Sequence, residues 1–66
     1  MEKVILNSSA LKSAEYTDGA MIIEFHRGTS YSYNVPVKVF RGLTTAESAG
    51  RFFSLHVRNY YTATKL

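Results

Sequence analysis

The sequence predicts an α+β fold, a three-stranded antiparallel meander followed by two helices packed on one face of the sheet. Three observations carry this prediction. Residues 13–35 alternate apolar and polar side chains with a period of two, interrupted by two turn signals. Pro36 then closes the strand region, because it cannot donate to a ladder. From Val37 onward the apolar spacing lengthens to three and four residues, the period of a helix.

The first strand is read from Ala14 and Tyr16, which alternate with Ser13 and Glu15. Thr17-Asp18-Gly19 follows, and Asp-Gly supplies the positive φ that a tight hairpin needs. In the second strand Met21, Ile23 and Phe25 share one face, while Ile22, Glu24 and His26 share the wetter one. Arg27-Gly28-Thr29 makes the second turn, with Gly28 at its pivot. The third strand runs from Ser30 to Val35, with Tyr31, Tyr33 and Val35 on one side. Pro36 suits the first turn of a helix spanning Val37 to about Leu43. Val37, Val39, Phe40 and Leu43 form its broad apolar face, and Gly42 weakens it by roughly 1 kcal/mol relative to alanine. The second helix has two candidate starts, a capping box over Thr44-Thr45-Ala46-Glu47 and a cap at Ser48. Its apolar positions are Ala49, Phe53, Val57 and Tyr60, with Arg51 and Arg58 on another stripe. Residues 62–66 have no periodicity and are expected to fray. The segment Lys3 to Ser9 either pairs at a sheet edge or wraps the helices.

A length of 66 residues allows one domain, taken as residues 1–66. A chain this short buries only about 60% of its unfolded surface, so good packing, a partner or self-association into a homo-oligomer must supply stability. The sequence has no cysteine, hence no disulfide framework and no thiolate metal site, and no cofactor is expected. The apolar run near the start is only Val4 to Leu6, too short for a signal peptide. No apolar stretch approaches the roughly 20 residues that span a bilayer. The expectation is a cytoplasmic protein with no membrane partner. Residues 1–24 carry two lysines against four carboxylates, whereas residues 25–66 carry six cations against Glu47 alone. That basic part points to an anionic partner such as nucleic acid or an acidic protein surface; a solvated surface is the plainer explanation.

Catalysis is not expected. His26 and His56 are the only histidines, and neither has a carboxylate at a spacing that guarantees contact. Glu15 and Glu24 can face each other across the first hairpin, but a sheet this small scarcely forms a pocket around them. No nucleophile-elbow motif surrounds the serines, and isolated Gly28 and Gly50 make no phosphate-cradling loop. Binding is better supplied. Arg51 and Arg58 on one helix, with Lys38 and Arg41 on the other, can neutralise phosphates. Tyr31 and Tyr33 offer a stacking platform, although alternating aromatics on a central strand are more often core. Glu47, four residues before Arg51, offers that arginine a salt bridge instead. A helix start at Ser48 and Gly50 also presents free amides to an anion, with Arg51 within one turn.

One ordered set of residues runs along nearly the whole chain. It comprises Asn7-Ser8-Ser9, Tyr16, Phe25 with Gly28, and Tyr31-Ser32-Tyr33 leading into Val35-Pro36. Phe40, Leu43, Ala46, Ser48-Ala49-Gly50-Arg51-Phe52-Phe53, Val57-Arg58 and Tyr60 complete it. In this set the chain resembles the KTSC family, named for its place at the C-terminus of some lysyl-tRNA synthetases and found also as free-standing small bacterial and phage proteins. Gly42 departs from the pattern. The resemblance breaks the chain at Ser48 and so favours that residue as the cap. Through the synthetase attachment it implies RNA binding, an association by domain neighbourhood rather than by site chemistry. The expected function is a small non-catalytic binding module, with RNA as the first ligand class. A protein partner, reached through open strand edges or the face of Arg51, Leu55 and Arg58, is the alternative.

Overall fold

The computed structural model describes residues 2–66, in the order β1 Glu2–Ile5, β2 Leu11–Thr17, β3 Ala20–Phe25, β4 Ser30–Asn34, α1 Val37–Thr45, α2 Ala49–His56 and β5 Ala63–Lys65. The sheet therefore has five strands rather than three, all antiparallel and in chain order. Four of them precede the helices. The two strands added to the expectation lie at the sheet's two edges, where sequence signals are weakest. In β1 Val4 packs toward the core while Ile5 is 72% exposed, so the run Val4-Ile5-Leu6 hides a period of two. Of the two placements open for residues 3–9, edge pairing holds for 3–5, with Val4 opposite Ala14. The three residues of β5 are all exposed, so no apolar alternation marks them. They do not fray: Tyr31 lies opposite Lys65, and the Leu66 amide donates to the Ser30 carbonyl at 3.0 Å.

Asp18 and Gly19 have φ of 49° and 79°, the pair of positive values that a two-residue type I′ turn demands. Phe25 and Thr29 close the next hairpin, and Gly28, at φ 100°, takes its left-handed position. At Lys12 a bulge inserts one residue between the pairs Leu11–Phe25 and Ser13–Glu24. Lys12 and Ser13 both reach Glu24 on the outer face, over 3.8 Å and 3.3 Å. Glu15 lies opposite Ile22, so it is diagonal to Glu24 rather than facing it.

Both helices cover one face of the sheet. Met21, Ile23, Leu11 and Ala14 from the strands meet Phe40, Leu43 and Phe53 from the helices, all buried. Each such large side chain contributes roughly 1.5–3 kcal/mol. The Tyr16 hydroxyl donates to the Val35 carbonyl at 2.8 Å and its ring packs 5.4 Å from Phe40, which ties β2 to the start of α1. α1 starts after Pro36, which stands just outside it as the cap rather than within its first turn. Val37 is 42% exposed, so the apolar face of α1 is narrower than its spacing suggested.

Ser48, not Thr44, caps α2: its hydroxyl accepts from the Arg51 amide at 3.3 Å. Thr44 and Thr45 belong to the last turn of α1, where their hydroxyls donate to the carbonyls of Phe40 and Arg41. Glu47 stands ahead of α2, and among the described residues the one ion pair is Lys12–Glu24. α2 also ends earlier than its spacing suggested. Val57 caps it, and the Val57 carbonyl then accepts the amides of both Tyr60 and Tyr61 at 3.1 Å. Tyr60 leaves the apolar stripe in that turn and is 72% exposed. Among the described residues, no helix is long and apolar enough to cross a membrane.

Candidate functional site

The β3–β4 hairpin and α2 enclose a cleft of about 590 Å³. Its floor is aromatic. Phe25 and Tyr31 are diagonal neighbours on one sheet face, and their rings meet edge to face at 5.8 Å. Phe53 of α2 closes on Phe25 at 5.8 Å and on Tyr33 at 5.6 Å, again nearly perpendicular. Such edge-to-face pairs contribute about 0.5–1.5 kcal/mol each beyond area burial, so the floor is stiff.

The rim is cationic. Arg27 comes from the β3–β4 turn; its Nε donates to the Thr29 hydroxyl at 3.2 Å, and its guanidinium lies 5.7 Å from the Phe25 ring centre. Arg58 comes from the turn after α2. Burial holds the Tyr33 phenol above its ordinary pKa, neighbouring Tyr31 adds to the rise, and the Arg58 charge opposes it. The field of Arg58 therefore reaches into the aromatic floor. His26 completes the rim. Its Nε2 donates to the Ser8 carbonyl at 2.9 Å, which leaves Nδ1 free of that bond. Among the described residues, no aspartate or glutamate lines this cleft.

Asn7-Ser8-Ser9 shapes one wall. The Ser8 hydroxyl accepts from the amides of Ala10 and Leu11, each at 3.2 Å, and so fixes the turn into β2. A Cβ on Gly50 would stand 3.3 Å from that same oxygen. Gly50 thus lets the first turn of α2 approach Ser8.

Of the residues singled out in the sequence, the structure brings Tyr31, Arg58 and Gly50 together here. Lys38 borders a second cleft on the other side of α2. Arg41, Arg51 and Ser48 lie outside both clefts. Tyr33 is 5% exposed and belongs to the core, whereas Tyr31 is half-buried with an edge on the cleft. Sequence reasoning missed Phe25, His26 and Arg27 as site residues. Their signal was available: a two-residue turn before Gly28 places this tripeptide beside Tyr31. Among the described residues, no three His, Cys, Asp or Glu side chains gather as metal ligands do.

Comparison with known proteins adds the following. The family model of the KTSC domain matches residues 7–61. The crystal structure of a KTSC domain protein from Yersinia pestis superposes with a TM-score of 0.86 at 27% identity, covering 98% of this chain and 96% of that one. No curated protein matches the chain.

Proposed function

This chain belongs to the KTSC domain family, and we propose that it is a cytoplasmic, non-catalytic binding module that takes up single-stranded RNA in the cleft between Tyr31 and Arg58. One observation carries the reading: two arginines and a histidine ring an aromatic floor, with no carboxylate among the described residues that line it. A single strand presents stacking faces and phosphates together, and this cleft offers a partner to each. Base stacking on an aromatic side chain is worth about 1–3 kcal/mol, and each neutralised phosphate adds about −0.7 to the slope of log affinity against log salt.

The test is fluorescence anisotropy with a labelled mixed RNA pool at low and at physiological salt. Binding should weaken steeply with salt. Arg58→Ala should reduce affinity about tenfold and flatten the slope by about 0.7. Tyr31→Ala should reduce affinity by a similar factor with the slope unchanged. Absence of binding at low salt, or indifference to both substitutions, overturns the reading.

A protein-interaction module is the second reading. It rests on β1, an edge strand that exposes Ile5 and can accept another strand, including that of a second copy. A melting temperature that rises with protein concentration, and ceases to do so in Ile5→Lys, supports it.

A further inference from the structure

A second cleft, of about 480 Å³, lies on the opposite flank of α2. Phe52, Tyr60 and Tyr61 line it together with Lys38 and His56, and among the described residues no carboxylate does. Phe52 and His56 pack ring against ring at 4.7 Å. Its chemistry resembles that of the first cleft: aromatic faces, a lysine and an imidazole, with no carboxylate among the described residues that line it.

Helix geometry relates the two. At about 100° per residue, Gly50 and Ser54 fall on one flank of α2, while Phe52 and His56 fall on the other. Arg51 and Leu55 occupy the crest between them, and both are exposed. The turn after α2 divides in the same way. Arg58 returns to the first cleft, and Tyr60 and Tyr61 go to the second. Elsewhere, Glu2 stands at the start of β1, Glu15 and Glu24 lie on the outer sheet face, Asp18 in the β2–β3 turn, and Glu47 between the helices. No carboxylate therefore stands on α2 or in the turn that follows it.

We propose that one RNA strand crosses α2 through both clefts, with Arg51 meeting a phosphate on the crest; this rests on the RNA reading of the first cleft. Crossing a helix about 10–12 Å wide requires more than a dinucleotide. Occupancy of both clefts therefore sets a minimum length of about four nucleotides.

The experiment measures binding of labelled oligouridylates from about two to about eight nucleotides. For the wild-type chain, affinity should rise about tenfold between the dinucleotide and the hexanucleotide. The double variant Lys38→Ala/Tyr60→Ala changes exposed side chains of the second cleft only. It should retain the dinucleotide affinity and lose the gain with length, and Arg51→Ala should lose part of it. Circular dichroism melts of each variant confirm folding. Dinucleotide binding with no gain in length, or a full gain in the double variant, overturns the two-cleft path while leaving the first cleft intact. Failure of every length to bind overturns the underlying RNA reading as well.

Discussion

The ring of Phe52 rests against α1 at Gly42: a Cβ built on Gly42 would stand 2.7 Å from Cζ and 3.0 Å from Cε2 of that ring. In the sequence this glycine counted only as a weakness of α1. In the fold it is the position that lets Phe52 reach across from α2 and form a wall of the second cleft.

Gly42→Ala should therefore destabilise the protein despite alanine's better helix propensity. Overpacking costs about 1–3 kcal/mol, against a propensity gain of roughly 1 kcal/mol. The expected net loss is about 1 kcal/mol. In a Phe52→Leu background the clash is relieved, and the same substitution should stabilise by about 0.5–1 kcal/mol. Urea unfolding of the four chains measures the difference. Equal effects in both backgrounds would mean that Phe52 does not constrain position 42.

The edge strand β5 makes a positional prediction. The bond from the Leu66 amide to Ser30 sets the antiparallel alternation, so Thr64, opposite Ser32, also belongs to a hydrogen-bonded pair. The Lys65 amide then points away from the sheet. Thr64→Pro should cost about 1–2 kcal/mol, while Lys65→Pro should be close to neutral, since proline is tolerated on the outward side of an edge strand. Thermal melts of the two variants decide. Equal losses would overturn this hydrogen-bond register, and no loss for either would show that residues 63–65 add nothing to stability.

Tyr33 links alkaline stability to the cleft. Its folded pKa lies above the ordinary tyrosine value of 10.0, chiefly through burial. The folded chain holds this proton more tightly than the unfolded chain does. The corresponding stabilisation is complete below pH about 10 and is lost as pH rises from there through the folded pKa. Tyr33→Phe should flatten the fall in stability on that side. Because the Arg58 charge pulls the same phenol downward, Arg58→Ala should make it ionise at still higher pH. A phenolate absorbance titration follows both, and an unmoved last phenol in Arg58→Ala would place that guanidinium beyond reach of the floor.

Much of the fold was legible in the sequence. The Asp18-Gly19 turn, the facing set Met21, Ile23 and Phe25, and the end of the strands at Pro36 all depend on near neighbours in the chain, whereas Ser48 is preferred to Thr44 as the cap through the family resemblance. What failed depended on distant ones. Tyr60 continued the apolar spacing of α2, yet the helix ends at His56 and its chain turns at the buried Val57. β5 left no trace because a short exposed strand forms only where β4 presents an edge to it. Among the site residues, Tyr31 and Arg58 were visible as types, but Phe25 and Arg27 acquired their meaning only through the hairpin that sets them beside Tyr31.

By itself, then, the sequence determined the α+β class, the hairpin turns, the start of the first helix and an excess of cations after residue 24, because dihedral preference, periodicity and charge are local properties. Only the tertiary structure decided that the sheet has five strands, that Gly42 serves contact between helices, and that two aromatic clefts with cationic side chains flank α2. Each of these follows from which residues meet across the sheet and between helices, and the burial that selects those meetings is a property of the whole chain.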